Sequence, residues 1–159
     1  MQKIHVSIRA QTLTLTEADG STRRYPVSTA RNGVGNRAGS GGTPLGLHRV
    51  RLKIGENAPY QAVFVARRAT GEVFGPELAA REPERDWMLS RIMLLQGMER
   101  GVNRGGDVDT LRRRVYIHGT MDEHLIGTPV SFGCVRMNNA DIIDLFDRVQ
   151  NGIAVQIDN

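Results

Sequence analysis

The sequence predicts a mainly β fold, arranged as a β-sandwich or barrel-like sheet, with one main helix near the C-terminus. Aromatic residues make up only 5% of the chain, and most of its apolar residues are Val, Ile and Leu, which favour strands. Apolar and polar residues alternate near both ends, and a helical repeat is convincing only after residue 138. At 159 residues, with no internal repeat or linker, residues 1–159 are expected to form a single domain.

The first third of the chain predicts a β-meander followed by a loop. Apolar residues alternate with polar ones over Ile4–Ile8 and Leu13–Leu15, Asp19-Gly20 supplies a turn, and Tyr25–Val27 resumes extended chain. Residues 31–44 contain five glycines and no periodicity. They predict a loop whose length makes it either functional or mobile.

The middle of the chain predicts further strands separated by irregular segments. Strand patterns occupy residues 47–54 and 60–66. Segment 71–86 is interrupted by glycine and prolines and predicts a loop with a short helical turn. Residues 88–95 suit a helix or a buried strand equally. After a glycine-rich connection, a short buried strand at 115–117 leads into His118.

One helix is predicted with its boundaries. Asn139 is a suitable N-cap, Asp141 places a negative charge in the first turn, and Asn151-Gly152 ends the helix. Residues 153–157 then alternate as a closing strand. The predicted apolar face of the helix consists of Ile142, Ile143, Leu145, Phe146 and Val149.

The single cysteine and a preceding histidine suggest nucleophilic chemistry. Cys134 follows Gly133, whose flexibility would let backbone N–H groups converge on one point, as an oxyanion requires. His118 ends a strand and is the natural base for the thiol, and the carbonyl of Gly119 could orient its ring. The alternative is a buried structural cysteine with no catalytic role.

Residues around the cysteine have two open interpretations each. Arg136 could bind a substrate carboxylate or clamp the loop, and Ser131 could line the site or cap a turn. The alternative to a catalytic role for His118 and Cys134 is a zinc site that they form together with His124. The spacing of these three residues matches no common zinc pattern. We therefore expect no metal and, because no phosphate-binding glycine motif is present, no cofactor.

Composition limits the partners and the location. The net charge of +4 and the basic runs Arg67-Arg68 and Arg112–Arg114 are interpreted as a solvated basic surface, because no aromatic residues accompany them, and no nucleic acid is expected. No segment approaches the length of a membrane span. No signal peptide precedes the first strand, which predicts a cytoplasmic protein if Met1 is the native start. A trimmed mature form would instead be periplasmic or wall-associated.

Four segments resemble the signature of the L,D-transpeptidase catalytic-domain family. They are Tyr25–Thr29, Thr43–Gly46, His118–Thr120 and Ser131–Asn139, so the likeness covers nearly the whole chain. One position departs from the family pattern: Phe132 replaces the usual histidine or basic residue, which would narrow the substrate pocket.

The resemblance implies a mechanism and a set of site residues. Cys134 would be the nucleophile, His118 its base and the Gly119 carbonyl the orienting group. The N–H groups around Gly133 and Cys134 would form the oxyanion hole. The residues expected to contact the substrate are Thr120, Ser131, Phe132 and Arg136.

The resemblance also implies the substrate. The donor would be a peptidoglycan stem tetrapeptide, cleaved at the carbonyl of its third residue with loss of D-alanine. The acyl group would pass to an amine of a second stem, as in a transpeptidase, or to water, as in an L,D-carboxypeptidase that trims muropeptides in the cytoplasm. Carbapenem-type inhibitors would be expected to react with Cys134. The alternative is a non-catalytic module that binds peptidoglycan or another polyanion through its basic surface.

Overall fold

A computed structural model describes residues 1–159 and has one sheet of ten strands. Two α-helices accompany them, α1 (Pro76–Arg81) and α2 (Asn139–Arg148). The strands are β1 (Lys3–Ser7), β2 (Thr12–Thr16), β3 (Thr22–Ser28), β4 (Gly46–Ile54), β5 (Ala62–Val65), β6 (Arg68–Val73), β7 (Met88–Gly97), β8 (Tyr116–Gly119), β9 (Val135–Met137) and β10 (Ala154–Asp158). The predicted mainly β class is confirmed.

Eight of the strands close into a barrel. Their order is β4-β10-β1-β2-β3-β9-β8-β7, and β7 pairs back with β4 to complete the ring. Only β1–β10 and β8–β9 are parallel pairs. The hairpin β5–β6 lies outside the ring and extends the sheet from the first residues of β7.

The barrel interior is the main core. Alternate residues of the strands point inward and, with one face of α2, form a cluster of 21 buried residues. The predicted strand faces at Ile4, Val6, Leu13 and Leu15 are confirmed, since all four side chains lie in this cluster. Burying this apolar face is what holds α2 against the strands.

Strand β7 resolves the ambiguous segment because it is buried on both faces. Met93 and Leu95 point into the barrel. Ile92 and Leu94 instead face a second cluster, shared with Tyr116, under the β5–β6 hairpin. A strand covered on both faces has a continuous apolar run and no alternation, so periodicity cannot separate it from a helix.

The loop predicted over residues 71–86 is wrong in its first part. Strand β6 runs to Val73, and α1 supplies the predicted short helical turn after Gly75. Every residue of β6 is exposed. An edge strand with no buried face shows no apolar alternation, which is why the pattern missed it.

The predicted boundaries of α2 also need correction. Its N-cap is Asn138 rather than Asn139, and Asn139 is the first helical residue, with its side chain fully buried. The helix ends at Arg148, because the buried Val149 already has extended backbone (φ −105°, ψ 157°). Neither α-helix is long and apolar enough to cross a membrane.

Truncating the inward face of α2 should destabilise the fold. Ile142 is fully buried in the core, whereas the adjacent Ile143 is only partly buried. We expect Ile142→Ala to lower the free energy of unfolding by about 2–5 kcal/mol and Ile143→Ala by about 1 kcal/mol, measured by urea denaturation. Equal losses for the two variants would contradict the assigned orientation of α2.

Candidate active site

The pairing of β8 with β9 brings the predicted histidine and cysteine to one face of the sheet. In this parallel register His118 lies opposite Arg136, while Ile117 and Val135 point into the barrel core. Side chains alternate along a strand, so His118 and Arg136 project outward. Cys134, one residue before β9, also lies on the outer side, packed against the second cluster.

The His118 ring is fully buried and has one nitrogen with no partner. Its Nδ1 lies 2.7 Å from the carbonyl oxygen of Gly119, a contact that requires a hydrogen on Nδ1. Nε2 is also buried and makes no hydrogen bond. Burial, which disfavours the imidazolium, lowers the pKa of His118, and Asp86 opposes this effect. The ring is therefore a neutral imidazole whose Nε2 can accept a proton.

Gly119 has to be a glycine at this position. A Cβ added there would lie 2.5 Å from both the Asn139 side-chain oxygen and the Leu89 carbonyl oxygen. Both distances are too short for any side chain to fit without moving backbone. The close packing fixes the carbonyl that holds the His118 ring.

A buried network around Asn139 locks the end of β8, and the sequence analysis missed it. The Asn139 side-chain N–H donates to the Thr120 carbonyl at 2.8 Å, and its backbone N–H donates to Glu123 at 2.7 Å. The Ser90 hydroxyl donates to the Asn139 side-chain oxygen at 2.6 Å. Ser90 has φ +70° and lies in a bulge of β7 opposite His118 and Gly119. Bulges of this kind commonly re-aim side chains beside functional sites.

Cys134 is partly exposed, and its thiol is protonated at rest. The sulfur accepts the Tyr116 backbone N–H at 3.3 Å and donates to the Arg114 carbonyl at 3.7 Å. Burial raises the pKa of Cys134 to about 11, even though the Tyr116 N–H and the charges of Arg136 and Arg113 favour the thiolate. No hydrogen bond joins the thiol to His118, so the catalytic roles of the two residues stay predictions.

The turn before Cys134 is shaped by hydroxyl groups. Gly133 has φ +134°, a conformation that favours glycine. The Ser131 hydroxyl donates to the Cys134 carbonyl at 2.6 Å and accepts the Gly133 N–H at 3.2 Å, so Ser131 caps the turn. The Cys134 N–H makes no hydrogen bond within the chain. Of the two expected oxyanion donors, the Gly133 N–H is therefore engaged by Ser131 and the Cys134 N–H is free, and the oxyanion hole stays a prediction.

Arg136 is an ion-paired clamp in this structure. Its side chain is 4% exposed, and its guanidinium lies 3.0 Å from the Asp86 carboxylate and 3.9 Å from that of Asp122. Its Nε is buried without a partner. Asp86 lies far away in sequence and had no spacing signal to reveal it. The Thr120 hydroxyl accepts the Asp122 N–H at 3.1 Å, and substrate contact by Thr120 or Arg136 stays a prediction.

Phe132 forms a ridge between two grooves. Its ring is 59% exposed, and the guanidinium carbons of Arg31 and Arg136 lie 5.1 and 5.5 Å from the ring centroid. One groove, of about 510 Å³, includes Gly41, Asp107 and Arg113. The other, of about 220 Å³, includes Asp86, Asp122 and Arg136. Cys134 lies two residues after Phe132 in the sequence, and its side chain lines neither groove.

The zinc site considered as an alternative for His118, His124 and Cys134 has no structural basis. No group of three or more His, Cys, Asp or Glu side chains lies close enough together to hold a metal ion. His124 is exposed on a short 3₁₀ turn at residues 123–125 and does not join His118 and Cys134.

Comparison with known sequences identifies one family. The family model described as the YkuD L,D-transpeptidase catalytic domain matches residues 1–157. YkuD of Bacillus subtilis, named as an L,D-transpeptidase, is 51% identical over 41 residues, which is 26% of this chain and 25% of that protein. The Bacillus licheniformis protein of the same name is 49% identical over 41 residues, with the same coverage.

Solved structures share the fold at low sequence identity. L,D-transpeptidase 3 from Mycobacterium tuberculosis, with a faropenem-derived adduct, aligns with a TM-score of 0.60 and 14% identity. An L,D-transpeptidase from Mycobacterium smegmatis aligns with a TM-score of 0.57 and 18% identity. The L,D-transpeptidase LdtMt1, in complex with imipenem, aligns with a TM-score of 0.58 and 19% identity. Each alignment covers 99% of this chain but only 58–60% of the other chain.

The raised pKa of the partly exposed Cys134 thiol predicts an unusual pH dependence of alkylation. Because only the thiolate reacts and the pKa of Cys134 is raised to about 11, the iodoacetamide rate should rise about tenfold per pH unit from about pH 7 to about pH 10. For the same protein unfolded in urea, the iodoacetamide rate should stop rising above about pH 9, near the ordinary thiol pKa. Matching profiles for folded and unfolded protein would contradict the raised pKa of the Cys134 thiol.

Proposed function

The chain belongs to the L,D-transpeptidase catalytic-domain family, and we propose that it is a cysteine acyltransferase or peptidase acting on peptidoglycan stem tetrapeptides. One observation carries the proposal: His118 presents a buried Nε2 without a partner on the same face of the sheet as Cys134. Its Nδ1 is already held by Gly119. A neutral imidazole fixed in this way beside a protonated thiol is what general-base activation of a nucleophile needs.

The first step forms a thioester. The Cys134 thiol rotates from the Arg114 carbonyl toward His118 and gives its proton to Nε2, a contact that apo enzymes often complete only when substrate binds. The sulfur attacks the carbonyl carbon of the third stem residue, and the carbonyl electron pair moves to oxygen. The Cys134 N–H, which has no partner within the chain, then donates to that oxyanion.

The second step releases D-alanine and passes the acyl group on. The bond from the carbonyl carbon to the D-alanine nitrogen breaks, and the His118 imidazolium protonates the leaving amine. An amine of a second stem, or water, then attacks the thioester. His118 takes the proton of this nucleophile, and the sulfur leaves as the thiolate and is reprotonated. The amine gives a crosslink and water gives L,D-carboxypeptidase activity, which is the outcome we favour if the protein acts on muropeptides in the cytoplasm.

The two grooves beside Phe132 support a reaction with two peptide substrates. Both are lined by Phe132, which lies two residues before Cys134. In this proposal the donor stem occupies one groove and the acceptor the other. In the smaller groove Arg136 is already paired with Asp86. A substrate carboxylate bound there would therefore share or replace that ion pair.

Removing either member of the pair should abolish product formation. With a tetrapeptide muropeptide, Cys134→Ala should release no D-alanine, because no thioester can form. His118→Gln should lose about 10²–10⁴-fold in rate, because it cannot accept the thiol proton. Mass spectrometry of the products measures both effects, and a crosslinked dimer or a bare tripeptide identifies the acceptor.

His124→Gln is the matched control, because His124 is exposed and has no contact with the site. It should react at the wild-type rate. Activity that survives in Cys134→Ala, or an equal loss in both histidine variants, would refute the proposed chemistry. A wild-type protein that binds muropeptide without producing either product would be the non-catalytic module instead.

A carbapenem should acylate Cys134. Imipenem is bound in one of the solved relatives, and the proposed thioester chemistry opens a β-lactam ring in the same way as it cleaves an amide. Intact-protein mass spectrometry should show an increase by the mass of one imipenem. Cys134→Ser should show none, and an adduct on any other residue would argue against this nucleophile.

A further inference from the structure

Arg113 ties the glycine-rich loop of residues 31–44 together. Its guanidinium donates to the carbonyl oxygens of Gly35 at 2.8 Å and Gly42 at 2.7 Å, and contacts the Ser40 hydroxyl at 3.3 Å. The side chain is partly buried and makes no ion pair with a carboxylate. Both ends of the planar fork are therefore used to hold the loop backbone in one conformation.

The same loop forms one wall of the turn that carries Cys134. The buried Thr43 hydroxyl donates to the Gly133 carbonyl at 3.0 Å and accepts the Ala30 N–H at 3.0 Å. The Arg31 N–H donates to the Ser131 carbonyl at 3.0 Å. A Cβ on Gly133 would come within 3.3 Å of the Gly42 oxygen, the atom that Arg113 holds.

Arg113 also brings its charge close to the sulfur. The next residue, Arg114, supplies the carbonyl that the thiol contacts at 3.7 Å. The positive charge of Arg113 lowers the pKa of Cys134, in opposition to the larger effect of burial. Arg112, the preceding residue, is exposed, and its side chain makes no hydrogen bond or ion pair.

We propose that Arg113 is a positioning residue for Cys134, which straps the glycine-rich loop against the Gly133–Cys134 turn and fixes a positive charge on that side of the thiol. The long glycine-rich loop, whose role was open, thereby gains a function. The interpretation of Arg112–Arg114 as a solvated surface holds for the exposed Arg112 and Arg114 but is wrong for Arg113, whose side chain is partly buried. It goes beyond the proposed function, because thiol reactivity is measured without any peptidoglycan substrate.

The test compares thiol alkylation in charge-matched variants. Iodoacetamide rates are measured against pH for the wild type, Arg113→Gln, Arg113→Lys and Arg112→Gln, after thermal melting shows that each is folded. We expect Arg113→Gln to react at least about threefold more slowly at about pH 8, with its profile moved to higher pH. Arg112→Gln should overlay the wild type. Arg113→Lys should be intermediate, because it keeps the charge but cannot bridge two carbonyls.

The outcomes separate positioning from a merely structural role. If Arg113→Gln lowers the melting temperature but leaves the alkylation profile equal to that of Arg112→Gln, the proposal is overturned. If Arg113→Gln does not fold, Arg113→Lys is compared with Arg112→Lys, and equal rates overturn it. A failure to form any muropeptide product would count against the proposed function. The alkylation rates would still test the role of Arg113, because they need no peptidoglycan substrate.

Discussion

The site depends on the parallel pairing of two short strands, β8 and β9. This register sets His118 opposite Arg136 and carries Cys134 to the same outer face, while Ile117 and Val135 point into the barrel core. Because the inward side chains are fully buried, a shift of one residue would expose the core and bury the charged groups. The packing that stabilises the barrel thus also determines which side chains meet outside it.

Burial determines the resting chemistry of these side chains. It lowers the pKa of His118 and raises the pKa of Cys134, so at neutral pH both groups are uncharged. The nearby arginines are themselves held in place: Arg136 by the carboxylate of Asp86, and Arg113 by the carbonyl oxygens of Gly35 and Gly42. Under the proposed mechanism, a neutral resting pair would limit unwanted reactions of the thiol and would transfer a proton only when a substrate carbonyl is in place.

The sequence predicted those parts of the molecule whose signal is local. Alternation at Ile4 and Val6 marked a strand with one buried face, and the glycine before Cys134 marked the turn. Strand β6 was missed because all of its residues are exposed. The contacts that Asp86 and Asn139 make join segments distant in the chain, and a single sequence carries no information on such pairs. Asparagine at a helix start is usually a cap, so the local sequence predicts this role for Asn139, although Asn138 is the cap.

Direct trapping of the covalent intermediate tests the central claim, that Cys134 is acylated with His118 as its base. The protein is mixed with a stem tetrapeptide, quenched in acid within the first turnover, and digested for mass spectrometry. We expect the peptide containing Cys134 to gain the mass of the tripeptide acyl group, and we expect this species to form much more slowly in His118→Gln. Release of D-alanine with Cys134 unmodified throughout, or equal accumulation in the two proteins, would contradict the account.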